Sequence, residues 1–172
     1  MTITITFPPE YPYVMLSSLL IGFLCLLFGF MVAGRKRGQI FTEEYMKKNF
    51  LKEHMEAFPN DKAPPKGGYP DMGSGRYSQK LSYKEWYEFN IAQRIHMNYL
   101  EQALVTCFII LISGIKYPWP TVGLSLGYAF FRILVLVGYN VSVRWRKPGV
   151  IFLNFALAAM FYFSFDTVIG LM

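Results

Sequence analysis

The stretch "FNIAQRIHMNYLEQ", residues 89–102, carries Arg94, His96, Asn98 and Glu101, yet it runs without a break into "ALVTCFIILISGI", residues 103–115. The second half is as apolar as any run in the chain and reads as the buried part of a membrane helix. The charged half enters with it. On insertion scales each ionised group at the bilayer centre costs about 2.5–3.5 kcal/mol. Such groups must face protein or trapped water, not lipid.

The helical repeat shows how this is arranged. At about 100° per residue, Asn90, Arg94, Asn98 and Glu101 fall within about 80° of arc, on one stripe. His96 points nearly the other way. A second helix repeats the pattern: Tyr128, Arg132, Tyr139 and Arg146 share a stripe in "TVGLSLGYAFFRILVLVGYNVSVRWR", residues 121–146. Two helices thus turn polar stripes inward. Glu101 neutralises one of Arg94 and Arg132, which leaves surplus positive charge in a low-dielectric cleft, suited to an anion. The same residues also fit a plainer role, because arginine–glutamate pairs staple helices or subunits in membrane bundles.

Working outward, the 172 residues suit a single domain and are 53% hydrophobic and 16% charged. A hydrocarbon core about 30 Å thick takes roughly 20 apolar residues of helix. Residues 13–34, 121–143 and 149–172 each meet this, the last with Asp166 near one end. Helices are therefore expected over 12–34, 83–115, 120–143 and 149–171, with a long polar loop at 35–82. The fold class is all-α: a transmembrane four-helix bundle in which short second and third links make neighbouring helices antiparallel.

Of 17 Lys and Arg, 11 lie between Arg35 and Lys84, and Arg144, Arg146 and Lys147 precede the last helix. The positive-inside rule puts the first and third links on the cytosolic side or its equivalent. The formal charge of +6 suits anionic headgroups and anionic ligands and needs no nucleic acid. The first helix is too long for a signal h-region, and "GRKRG" follows it as a stop-transfer flank. The choice between endoplasmic reticulum and mitochondrial membrane stays open, as no transit or retrieval signal decides it.

Cys25 and Cys107 lie inside apolar segments and read as small core residues, not as a disulfide. No metal-ligand spacing occurs, and His54 and His96 are far apart, so no metal is expected. In the first link, "FTEEYMKKNFLKEHMEAF" has the makings of an interfacial helix, although its apolar residues scatter around the wheel. "PNDKAPPKGGYPDMGSG" is too rich in proline and glycine for regular structure. "SYKE", residues 82–85, reads as a capping box.

"QRIHMNYLE", residues 93–101, resembles the second-helix signature of the membrane-associated proteins in eicosanoid and glutathione metabolism (MAPEG). It is most similar to the microsomal glutathione S-transferase type 3 branch, which carries Gln-Arg-x-His-x-Asn-x-x-Glu there. "EYPYV", "RKR" and "FRILVLVGY" extend the resemblance over nearly all the chain except the longer first link. It implies a homotrimer with glutathione as co-substrate, held between neighbouring subunits near the cytosolic side. It maps the glutathione contacts onto Arg94, Asn98 and Glu101, with His96 as a candidate that serves equally as packing. The family's third-helix arginine and tyrosine fall on Arg132 and Tyr139. The basic residue assigned to the thiol falls on Arg146. Arg35 or its neighbours match an arginine ending helix one, which also reads as stop-transfer charge.

The resemblance implies a membrane-bound glutathione transferase or glutathione-dependent peroxidase acting on lipophilic small molecules. Arg146 would stabilise the thiolate, with Tyr139 as hydrogen-bond donor. One position departs: the family carries a second tyrosine four residues before Tyr139, where this chain has Val135. A lost phenol removes a hydrogen bond worth about 0.5–1.5 kcal/mol net. That departure, with the long first link, leaves a second expectation open: a non-catalytic subunit of a larger membrane complex.

Overall fold

The computed structural model describes residues 6–141, 144 and 146–172. The expected end of the third membrane helix, Val143, lies outside the described residues. Five helices account for most of the rest: α1 (Tyr11–Ile40), α2 (Glu43–Ala57), α3 (Tyr83–Lys116), α4 (Pro118–Val141) and α5 (Lys147–Ile169). Four of them, α1, α3, α4 and α5, are long and apolar enough to cross a membrane. No strand occurs among the described residues. The chain is an all-α membrane protein with four spans, and it divides into two compact units.

The first unit comprises residues 1–26 and 98–172 and holds parts of all four spans. In lipid, helices gain little from apolar contact alone, so close backbone approach and interhelical hydrogen bonds hold them. Between α1 and α3, Tyr11 donates its hydroxyl to the Leu111 carbonyl and Tyr99 to that of Ile21, each at 3.0 Å. A Cβ on Gly114 would lie 2.3 Å from Val14 Cγ1, so glycine is what lets these two helices meet.

From α3 to α4, Thr121 Oγ1 donates to Ser113 Oγ at 3.0 Å, and Thr106 Oγ1 lies 3.4 Å from the Tyr128 hydroxyl. Phe131 stacks on Phe152 between α4 and α5 at 5.0 Å, and from α5 to α3 Ser164 donates to the Ile109 carbonyl at 2.9 Å. In each pair of consecutive spans numbers rise on one helix as they fall on the next; for α4 and α5, Val135 meets Gly149 where Phe131 meets Phe152. Consecutive spans here are antiparallel. Both cysteines are free.

In the second unit, residues 27–97, the stretch expected as a long polar loop holds a helix and a hydrogen-bonded turn. The α1 backbone passes through a π-helical turn at Gly29–Gly34 and then continues as Arg35–Ile40. Thr42 caps α2, its hydroxyl accepting from the Tyr45 amide at 3.2 Å. The residues that looked scattered on the wheel of α2 acquire a face: Met46 and Phe50 are buried with Ile40, Phe41 and Phe89. Tertiary packing, not amphipathic periodicity, decides which side of α2 is inside.

Arg37, read from sequence as one of three stop-transfer charges, is buried at 4% exposure. Its guanidinium donates to the carbonyls of Gly67 (3.0 Å), Gly68 (3.3 Å) and Asp71 (2.6 Å) and sits 4.3 Å from the Tyr69 ring centroid. Asp71 then organises the following turn, accepting from the amides of Gly73 (2.8 Å), Gly75 (2.9 Å) and Ser78 (2.6 Å) and from the Ser78 hydroxyl (2.8 Å). Gly68 adopts φ +62, and a Cβ there would strike the Phe41 ring at 2.5 Å. No other residue fits that position. The proline- and glycine-rich segment has no regular helix or strand, and its second half, residues 67–75, is nonetheless held by hydrogen bonds.

The Ser82–Glu85 capping box is present in both directions, with Ser82 N to Glu85 Oε2 at 3.1 Å and Glu85 N to Ser82 Oγ at 3.3 Å. Asn90, placed on the polar stripe by periodicity, donates instead to the Gly73 carbonyl at 3.1 Å, beside Trp86 Nε1 at 3.0 Å. It anchors the loop.

Candidate functional site

A polar helix stripe in a membrane needs partners, and in the first unit α3, α4 and α5 supply them around a cleft of about 400 Å³. Asn98, Glu101 and Gln102 come from α3, Arg132, Val135 and Tyr139 from α4, and Lys147 and Asn154 from α5, with Arg146 just before it. Three cationic side chains face one carboxylate. Val150, Ile151 and Leu153 give the same cleft an apolar wall. Such a space accepts a ligand that is anionic at one end and apolar at the other.

Tyr139 is the centre of the polar part and is buried at 6% exposure. Its phenol oxygen accepts from Asn98 Nδ2 at 3.2 Å and from the Arg146 guanidinium. A phenol oxygen has two acceptor positions and one proton to give. With both positions filled, Tyr139 acts on anything else only as a donor. The Arg146 guanidinium carbon lies 5.0 Å from the Tyr139 ring centroid, so charge and phenol form one unit.

Arg132 is spent differently. It is 5% exposed. Its Nε and Nη2 donate to the Tyr128 hydroxyl at 3.0 and 2.6 Å, Nη1 to the Asn98 carbonyl at 3.3 Å, and Nη2 to Gln102 Oε1. The guanidinium also lies 4.7 Å from the Tyr99 ring centroid. Of five N–H donors, four bonds are made within the bundle. Arg132 lends the cleft its charge while its hydrogen bonds fix α3 to α4.

Of the residues singled out from sequence, Asn98, Glu101, Arg132, Tyr139 and Arg146 meet in this cleft. Arg35, Arg94 and His96 belong to the second unit and do not line it. Arg35 and Arg94 are exposed. The His96 ring packs on α1, its Nε2 2.9 Å from where a Cβ on Gly29 would stand, so the helical-wheel direction of His96 corresponds to a close contact with the π-helical turn.

Three polar cleft residues were not among the site candidates: Gln102, Asn154 and Lys147, the last read from sequence as a topology charge. Gln102 lies one turn beyond Asn98, and the quoted stretch ends on it. Asn154 interrupts an apolar run, which is itself a signal in a membrane helix. Among the described residues no group of three His, Cys, Asp or Glu could hold a metal ion.

Compared with known proteins, residues 13–165 match the model of the MAPEG family. No curated protein and no solved structure gives a match.

Proposed function

The chain belongs to the MAPEG family of membrane proteins, and from that premise we propose that it is a membrane-bound glutathione transferase and glutathione-dependent peroxidase. The observation that carries this reading is Tyr139, held by Asn98 and Arg146 on the wall of a cation-rich cleft.

Glutathione carries two carboxylates and one ammonium at neutral pH, and a guanidinium-lined cleft complements that balance. Only the thiolate attacks. A thiol of pKa near 8.5 is about 3% ionised at pH 7, and lowering it two units takes about 2.7 kcal/mol of differential stabilisation. In this reading the Arg146 guanidinium supplies the charge, and the Tyr139 hydroxyl donates its remaining proton to the sulfur.

The thiolate then forms a carbon–sulfur bond with a lipophilic electrophile, displacing its leaving group or adding across a polarised double bond. With a lipid hydroperoxide, sulfur takes the distal oxygen, the oxygen–oxygen bond breaks, and the alkoxide gains a proton to become an alcohol. A second glutathione converts the sulfenic acid to disulfide and water. Glu101 and Asn98 are assigned to the peptide part of glutathione. Arg35, Arg94 and His96 remain assigned to glutathione through a homotrimer in which the ligand lies between subunits. The basic first and third links face the cytosol or its equivalent.

A second reading has its own observation. Val135 occupies the wall where a phenol is expected, and its Cγ2 stands 2.9 Å from where a Cβ on Gly149 would be. It packs against α5 and offers no hydrogen bond. A non-catalytic subunit of a larger membrane complex would keep the bundle and tolerate that loss.

Purified protein, glutathione and either a chloronitrobenzene or a fatty-acid hydroperoxide separate the two. Turnover with ultraviolet thiolate absorbance supports the enzyme, and their joint absence supports the scaffold. Arg146→Leu is expected to lower kcat far more than glutathione affinity; equal losses would remove the thiol role.

A further inference from the structure

Along α5 one amide interrupts an apolar stretch: Asn154 in "VIFLNFALAAMF", residues 150–161. It lines the cleft with Lys147, Val150 and Ile151 of the same helix. It stands at the exposed edge, with Phe152 and Phe155 beside it at 55% and 71% exposure. It makes no hydrogen bond with any described residue. Lys147 lies two turns away on the same face, about 10 Å along the axis. A polar side chain inside a span faces a cavity or a partner, because hydrocarbon offers its donors nothing. Here the cavity is the one that holds Tyr139 and Arg146.

We propose that Asn154 determines specificity for the second substrate, an inference that rests on the thiolate chemistry proposed above. The Asn154 Nδ2 donates to an oxygen on a lipid electrophile entering from the bilayer, while Val150, Ile151 and Leu153 receive its chain. The anionic peptide occupies the end bearing Arg146 and Lys147. The site therefore favours α,β-unsaturated carbonyl lipids over alkyl electrophiles that lack an accepting oxygen. With the aldehyde, sulfur bonds to the β carbon and the double-bond electrons pass to the carbonyl oxygen, which is protonated. With an alkyl iodide, the sulfur–carbon bond forms as carbon–iodine breaks and iodide leaves. Only the first places an oxygen against Asn154.

The full chain in phosphatidylcholine nanodiscs is assayed with an α,β-unsaturated aldehyde and an alkyl iodide of matched chain length. Asn154→Leu is expected to lower the aldehyde-to-iodide ratio of kcat/KM about 3- to 10-fold, the worth of one hydrogen bond, with kcat for the aldehyde falling as well because its oxygen gains charge in the transition state. Asn154→Gln is expected to recover part of it. An unchanged ratio overturns the assignment. So does an equal fall in both rates with altered crosslinking between copies, which would place Asn154 in a contact between subunits. If the unsubstituted protein converts neither probe, the thiolate chemistry fails first and this inference with it.

Discussion

Asn98 on α3 donates its side-chain amide to the phenol oxygen of Tyr139 on α4 at 3.2 Å. Because the Arg146 guanidinium fills the other acceptor position of the same oxygen, the Tyr139 proton is the one part of this group left to act on a ligand. Two neighbours thereby orient a donor into the cleft before any substrate arrives.

Tyr139→Phe tests that orientation directly. Removing a hydrogen bond to a developing thiolate is expected to lower kcat about 10- to 100-fold, matching about 1.5–3 kcal/mol for bonds to charged groups. The apparent thiol pKa in the pH–rate profile should rise toward that of free glutathione. A profile that keeps its position while the rate falls would assign Tyr139 to packing.

Arg132 separates structural from ligand-binding roles for a buried cation. Arg132→Lys keeps the charge but loses the fork that holds Tyr128, Gln102 and the Asn98 carbonyl. Thermal unfolding in detergent should show a loss of about 1–3 kcal/mol from partners left unpaired, with a smaller change in glutathione Kd. Unchanged stability with a large loss of affinity would make Arg132 a direct ligand contact.

The spans were legible because a bilayer demands long apolar blocks, and no alternative reading of residues 13–34 competes. The cleft members of the polar stripes, Asn98, Glu101, Arg132, Tyr139 and Arg146, were legible because a polar group inside a span has few places to go, whereas Arg94 on the same α3 stripe is exposed. Arg37 was not. Its partners are backbone carbonyls about thirty residues away, and nothing in "GRKRG" distinguishes a snorkelling cation from a buried one. Asn90 went astray because periodicity reports a face and not an occupant, and that face meets Gly73. Gln102 falls about 40° beyond the edge of the α3 stripe on the wheel, so the periodicity that singles out Asn98 passes it by, although it holds Arg132.

The Asp71 turn carries a pH dependence. Burial alone would raise its carboxyl, but the donors from Gly73, Ser78 and Gly75 outweigh this and hold it below the usual carboxylate range. A depressed folded pKa contributes stability that is present above the unfolded value, about 3.9, and lost as pH falls through the folded one. The stability difference between the unsubstituted protein and Asp71→Asn should therefore be constant near neutrality and shrink on acidification below about pH 4. Hydrogen exchange over residues 67–78 reads the same turn locally. A difference that stays constant down to pH 3 would mean the carboxylate charge contributes nothing there.

Gly114 tests whether the α1–α3 approach limits stability. A Cβ at that position lies 2.3 Å from Val14 Cγ1, 2.7 Å from Cγ2 and 3.0 Å from Cβ, and Val14 is fully buried. The valine has one strongly preferred rotamer in a helix and cannot swing aside. Gly114→Ala is thus expected to cost about 1–3 kcal/mol as the helices separate, despite the better helix propensity of alanine. Val14→Ala in the same chain removes the colliding methyls and should recover most of the loss. Thermal unfolding of the two single variants and the double variant gives the coupling. Strict additivity would show that the two helices are free to shift at this point, and that small residues here are not what brings them together.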